Sequence, residues 1–112
     1  MQNTGIVLSQ TSMGSGSAAL CDKILSSYLN TLAEGEFLPQ ALLFYTEGVK
    51  LCCQGSPVLP QLKTLAEKGV RFILCRTCLD YYGLLDAVCV GEIGNMLQIV
   101  EAQAAANKVI HI

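Results

Sequence analysis

Val70-Arg71-Phe72-Ile73-Leu74-Cys75-Arg76-Thr77-Cys78-Leu79-Asp80-Tyr81-Tyr82-Gly83 is the stretch whose reading decides the fold. Its first five residues are a strongly apolar run of strand length. Leu79 to Gly83 reads as a short helix, and Thr77 and Asp80 stand at capping-box spacing, so this helix is expected to start at Thr77. The pair Cys75 and Cys78 then falls at the carboxyl end of a buried strand. Open α/β sheets hold their ligands there.

Strand and helix signals alternate on either side of this unit. Upstream, Thr4 to Ser9 reads as a strand and Gln10 to Ser17 as a polar Ser/Gly loop. From Ala18 the residues Leu20, Ile24, Tyr28 and Leu32 recur at helical spacing, widened by Leu25 and Leu29, with Gly35 as a stop. Ala41 to Tyr45 is a second apolar run, closed by the turn signal Thr46-Glu47-Gly48. Ser56-Pro57 reads as an N-cap and first helical residue, ahead of Leu59, Leu62 and Leu65. Downstream, Ala87 to Val90 reads as a fourth strand. Asn95 to Ala105 reads as a helix with Met96, Ile99 and Val100 inward, and Val109 to Ile112 as a fifth strand. This β-α order predicts a parallel sheet with helices on both faces, and near-continuous apolar strands fit a sheet covered on both sides.

Composition narrows the function. A chain of 112 residues supports one domain, spanning 1–112. Only 14% of residues are charged, against about 25% in an ordinary domain, so some apolar surface is expected to be covered in a homo-oligomer. A net charge of −2 without a Lys/Arg cluster excludes nucleic acid and anionic membrane as partners. No signal-peptide pattern and no apolar run of about 20 residues is present, which predicts a cytoplasmic protein. In that compartment six cysteines are catalytic, redox-active, metal-binding or buried rather than disulfide-linked.

Four segments carry a family resemblance: Phe44 to Leu51, Gly55 to Leu59, Cys75 to Leu84, and Val90 to Met96. Cys-x-Thr-Cys-Leu-Asp-Tyr-Tyr-Gly-Leu after a strand is the most specific. On these residues the chain resembles the DsrE-like sulfurtransferase family, most closely the DsrE-like domain of YedF-type proteins linked to selenium metabolism. The resemblance implies a three-layer α/β/α fold of flavodoxin-like architecture with a five-stranded parallel sheet. It also implies assembly as dimers, trimers or hexamers. In sulfur-relay relatives the cysteine after the third strand carries a persulfide, a position that corresponds to Cys75. Cys78 matches the second cysteine of the YedF-type motif. YedF-type proteins usually add an N-terminal TusA-like domain with a Cys-Pro motif. This chain shows none, so it is expected to be a stand-alone version or an excised domain, with a TusA-like domain among its plausible donors or acceptors.

Sulfur relay needs a thiolate that attacks a persulfide, and a second thiol able to release the sulfur. Cys75 is the expected acceptor of sulfane sulfur, or selenium, and Cys78 its helper or resolver. Arg76, Thr77 and Gly48 are expected to flank the substrate. No metal and no cofactor is expected: one Cys-x-x-Cys gives too few ligands, Cys52-Cys53 are adjacent, and the only histidine, His111, is remote and reads as structural. Of Cys52 and Cys53, one reads as core and the other as loop, the alternative being an auxiliary acceptor. Cys21 and Cys89 read as packing. Ser9 to Ser17 lacks a phosphate-loop motif and reads as bordering the thiols and capping a helix. Tyr81 and Tyr82 read as interface or packing residues, the alternative being that they line the pocket, while Glu47 and Lys50 could orient an anionic sulfur species. Two other functions fit the same residues: a thiol-disulfide switch of Cys75 and Cys78, and a non-enzymatic oligomeric module that binds a partner or small ligand.

Overall fold

Five segments form one parallel sheet in a computed structural model that describes residues 3–112. In chain order the elements are β1 (Thr4–Leu8), α1 (Ala18–Glu34), β2 (Ala41–Phe44), a 3-10 helix (Thr46–Cys52), α2 (Leu59–Glu67), β3 (Arg71–Cys75), α3 (Arg76–Tyr81), β4 (Glu92–Gly94), α4 (Met96–Ala105) and β5 (Lys108–His111). The strand order is β4-β3-β2-β1-β5. Every pairing is parallel, with Ile6 beside Leu42, Leu42 beside Phe72, and Cys75 beside Gly94. All residues of β1 and β2 are buried, as are Phe72 to Cys75. Strands covered on both faces need such unbroken apolar runs.

The chain steps from β1 through β2 and β3 to β4 in one direction, so right-handed crossovers put α1 and α2 on the same face, where they pack together. α4 returns across the other face from β4 to β5. Phe44 stacks on Phe72 with ring centroids 5.6 Å apart. The expected three-layer α/β/α arrangement with a five-stranded parallel sheet is what forms.

Four local expectations are corrected. Ala87–Val90 is not a strand; it crosses Cys52-Cys53 with one antiparallel bridge, Cys53 to Val88. The edge strand is Glu92–Gly94, which the chain reaches through Gly91 at φ 95°, a residue whose backbone lies against Phe72 and Leu74. The core stripe of α1 is Cys21, Leu25, Leu29 and Ala33, while Leu20 and Ile24 face outward and Tyr28 and Leu32 are half-buried. The small side chains at 21 and 33 let the helix settle closer to the sheet than the larger stripe would. α2 begins at Leu59 with Pro60 in its first turn; Ser56-Pro57 form the preceding turn, where the Ser56 hydroxyl accepts the Val58 N–H at 3.3 Å. In α4 only Ile99 is buried, and Met96 and Val100 are about half exposed at 51% and 49%. A single helix spanning five strands cannot bury more than one stripe.

Candidate functional site

The carboxyl ends of β1, β2 and β3 converge on one crevice. β3 delivers Cys75 as its last residue, and Cys75 is also the N-cap of α3. α3 starts at Arg76, one residue earlier than expected, and no side chain caps it, so the Thr77 capping box does not form. Cys78 follows on the first turn. Cys75 is 4% exposed and Cys78 is half-buried. The two thiols are near enough for Cys75 to raise the Cys78 pKa. Arg76 and Thr77 flank them and are exposed.

Thr46 supplies the feature that sequence reasoning missed. It is the one non-glycine residue with positive φ among the described residues, at 49°. A β-branched side chain is rarely found in this left-handed region. Its hydroxyl lies 2.7 Å from the carbonyl oxygens of both Ser9 and Tyr45, donating its single proton between them. Held this way, Thr46 aims its backbone N–H at Cys78 Sγ, 3.0 Å away. Thr46-Glu47-Gly48 was legible as a turn, but a threonine carries no sequence mark of left-handed backbone.

The 3-10 helix after Thr46 can sit here only because residue 48 is glycine. A Cβ on Gly48 would lie 1.9 Å from the Leu8 carbonyl oxygen. Gly48 is therefore buried against the end of β1, and its role is to bring the Thr46 amide to the crevice.

Three charged or polar side chains close the rim. Glu47 accepts the Tyr82 hydroxyl at 2.8 Å and Lys50 Nζ at 3.1 Å, and Lys50 Nζ stands 4.2 Å from the Tyr82 ring centroid. The Tyr82 hydrogen bond, then Lys50, holds the Glu47 carboxyl below its ordinary pKa, and the same bond raises that of Tyr82. Tyr81 meets Tyr82 edge-on at 5.3 Å and is 85% exposed. Burial pushes the Cys78 thiol above its ordinary pKa; the Thr46 amide opposes this, and Cys75 adds to it.

Beside this rim opens a cleft of about 510 Å³ lined by Thr11, Asp22, Lys50, Cys53, Gln54 and Tyr82, among others. The Ser/Gly loop borders the site through Ser9 and caps α1 through Ser17, which accepts the Leu20 N–H at 3.4 Å. Cys52, the last residue of the 3-10 helix, and Cys53, in the connection just after it, are both buried; Cys53 donates to the Val49 carbonyl at 3.3 Å. Burial raises both of their thiol pKa values. Cys89 lies outside any strand and is exposed, contrary to its expected packing role, because the segment that carries it crosses the Cys52-Cys53 turn instead of joining the sheet. His111 is on β5, three strand spacings from β3, about 14 Å. Among the described residues no group of three or more His, Cys, Asp or Glu side chains is arranged to hold a metal, and no helix is long and apolar enough to cross a membrane.

Solved structures share this architecture. The ychN protein from E. coli superposes with a TM-score of 0.70 at 22% identity, over 100% of both chains. MTH1491 from Methanobacterium thermoautotrophicum, a protein of unknown function, gives 0.68 at 20% identity over 97% of each chain. BT1422 from Bacteroides thetaiotaomicron, likewise of unknown function, gives 0.67 at 16% identity over 98% of this chain and 95% of its own. These likenesses carry the fold alone. Among curated proteins none matches. Residues 17–112, which hold every element of the crevice except β1 and its following loop, match the DsrE/DsrF-like family, and the chain belongs to that family.

Proposed function

We propose that this protein carries sulfane sulfur as a persulfide on the Cys75–Cys78 pair, one thiol holding the sulfur and the other assisting its release. The observation that supports this best is the pair of free thiols Cys75 and Cys78 at the carboxyl end of β3, the second accepting the Thr46 amide N–H at 3.0 Å. A backbone N–H on sulfur favours the anionic form that attacks and leaves in sulfur exchange. Membership of a family associated with sulfur relay points the same way. Selenium in the same oxidation state would follow the same path, as in the YedF-type proteins the sequence resembles.

Arg76 and Thr77, exposed beside the pair, suit contact with the donor or acceptor, and Gly48 holds the 3-10 helix that shapes the crevice. The partner is a sulfur donor or acceptor protein, for which a TusA-like domain is the leading choice. Six free cysteines suit a reducing cytoplasm. The exposed apolar side chains Ile93, Met96, Leu97 and Val100 support a homo-oligomer.

The test is mass spectrometry of the reduced protein after exposure to a sulfane sulfur donor. A gain of about 32 Da on a peptide containing Cys75 or Cys78, absent in the double serine variant, is expected. A loss of about 2 Da within that peptide, with no sulfur gain at any donor concentration, would instead favour the thiol-disulfide switch. Neither product, with both cysteines intact, would favour the binding module.

A further inference from the structure

The geometry points to Cys78, not Cys75, as the thiol that receives the incoming sulfur, with Cys75 as the resolving thiol behind it and Thr46 as the residue that positions the receiving sulfur. This order rests on the sulfur-carrier reading and reverses the roles that the sequence resemblance suggests.

Access is the first argument. A thiol exchange proceeds by in-line approach to sulfur, so the attacking atom needs an open side. Cys75 is 4% exposed and sits at the end of a strand paired on both sides, with Leu74 beside Phe44 and Cys75 beside Gly94. Cys78 is half-buried and stands on the first turn of α3, one turn nearer the rim.

Charge stabilisation is the second. Among the described residues, Cys78 is the one thiol of the pair that receives a backbone amide from outside its own helix, Thr46 N–H at 3.0 Å. That amide is aimed by a backbone conformation threonine rarely adopts, and such residues persist only where their surroundings over-determine them. The fixings are visible: the Thr46 hydroxyl on the Ser9 and Tyr45 carbonyls, and Gly48 pressed against Leu8. Valine has the same shape as threonine but lacks these anchors, so Thr46→Val isolates the hydroxyl's part in holding the amide on sulfur.

The steps balance. The Cys78 thiolate attacks the outer sulfur of a donor persulfide. The donor S–S bond breaks, and the donor leaves as a thiolate that takes up the proton Cys78 gave. An acceptor thiolate can then attack that outer sulfur, and Cys78 leaves with the electron pair. Alternatively the Cys75 thiolate attacks Cys78 Sγ. The bond to the outer sulfur breaks and hydrosulfide departs. The two thiols are oxidised to a Cys75–Cys78 disulfide as the sulfane sulfur is reduced to sulfide, and a low-molecular-weight thiol reductant restores the pair.

An aromatic disulfide such as dithiodipyridine reads the order directly, by stopped-flow absorbance and peptide mapping in a Cys89→Ser background that removes the exposed thiol. In Cys75→Ala the probe is expected to remain on Cys78 as a mixed disulfide. In Cys78→Ala the fast phase should vanish, leaving Cys75 at least about tenfold slower, as a thiol without an open face. A fast phase kept by Cys78→Ala and mapped to Cys75 overturns the order. Thr46→Val should slow Cys78 about threefold or more and Thr46→Ser restore it, since the anchoring hydroxyl sets how well the thiolate is held. An unchanged rate in folded Thr46→Val removes Thr46 from the assignment. The same variants exposed to a sulfane donor separate the two claims. The stated probe order without sulfur uptake removes the carrier reading and leaves the thiol order standing.

Discussion

Thr46 and Gly48 work as a pair at the scale of single residues: one is held in a rare backbone conformation, the other leaves room for it. Gly48→Ala places a methyl 1.9 Å from the Leu8 carbonyl oxygen. It is expected to destabilise by about 3 kcal/mol, the upper end of overpacking costs, as read from the urea midpoint. A loss below about 1 kcal/mol would mean that the 3-10 helix shifts freely and does not fix the Thr46 amide. The Cys78 thiol titrates above an ordinary cysteine, chiefly through burial. The thiolate is the reactive form, so its iodoacetamide rate should rise with pH through a midpoint above that of a free thiol. Cys75→Ala should lower that midpoint, because Cys75 raises the pKa, and Thr46→Val should raise it, because the amide lowers it. A midpoint unmoved by both changes would refute this account of the thiol.

Among the elements, legibility followed burial. β1, β2 and β3 were readable because a strand covered on both faces must be apolar throughout, and their positions agree with the sequence reading to within a residue. β4 was misread because an edge strand carries no such demand. Glu92 and Ile93 are exposed, while the apolar Ala87–Val90 is a half-buried connection for the most part. The thiol pair was legible from its place after β3. Its hydrogen-bond donor was not, since Thr46 lies 32 positions away and only the parallel register of β2 beside β3 brings it there. α4 was located to within a residue at its start, and the structure adds a capping box there, Asn95 and Gln98 each accepting the other's backbone N–H at 2.9 Å. Asn95→Ala should cost about 1 kcal/mol in urea unfolding monitored by circular dichroism. No measurable cost would show that packing of Ile99 alone holds the helix.

The whole molecule presents more apolar surface than its single-helix face can hide. Ile93, Met96, Leu97 and Val100 lie together from the β4 edge along α4 and are 38–64% exposed. Self-association through this stretch predicts a sedimentation mass above the 12.0 kDa of one chain. The double change Leu97→Glu and Val100→Glu should return it to that value while leaving the circular dichroism spectrum unchanged. A wild type that sediments as a single chain at every concentration would assign the stretch to a different partner. The same sheet has a second consequence, for synthesis on the ribosome. β1, the first strand of this sheet to be made, is flanked on one side by β5, the last strand of the sheet, and the Ile112 N–H closes the ladder on the Val7 carbonyl at 3.0 Å. While the chain is still growing, that flank of β1 stays unpaired after the rest of the sheet could have formed. An open apolar strand edge invites other nascent chains. Translation speed through the α4–β5 region, and a chaperone that shields β1 until then, should therefore govern the soluble yield more than any change near the thiols.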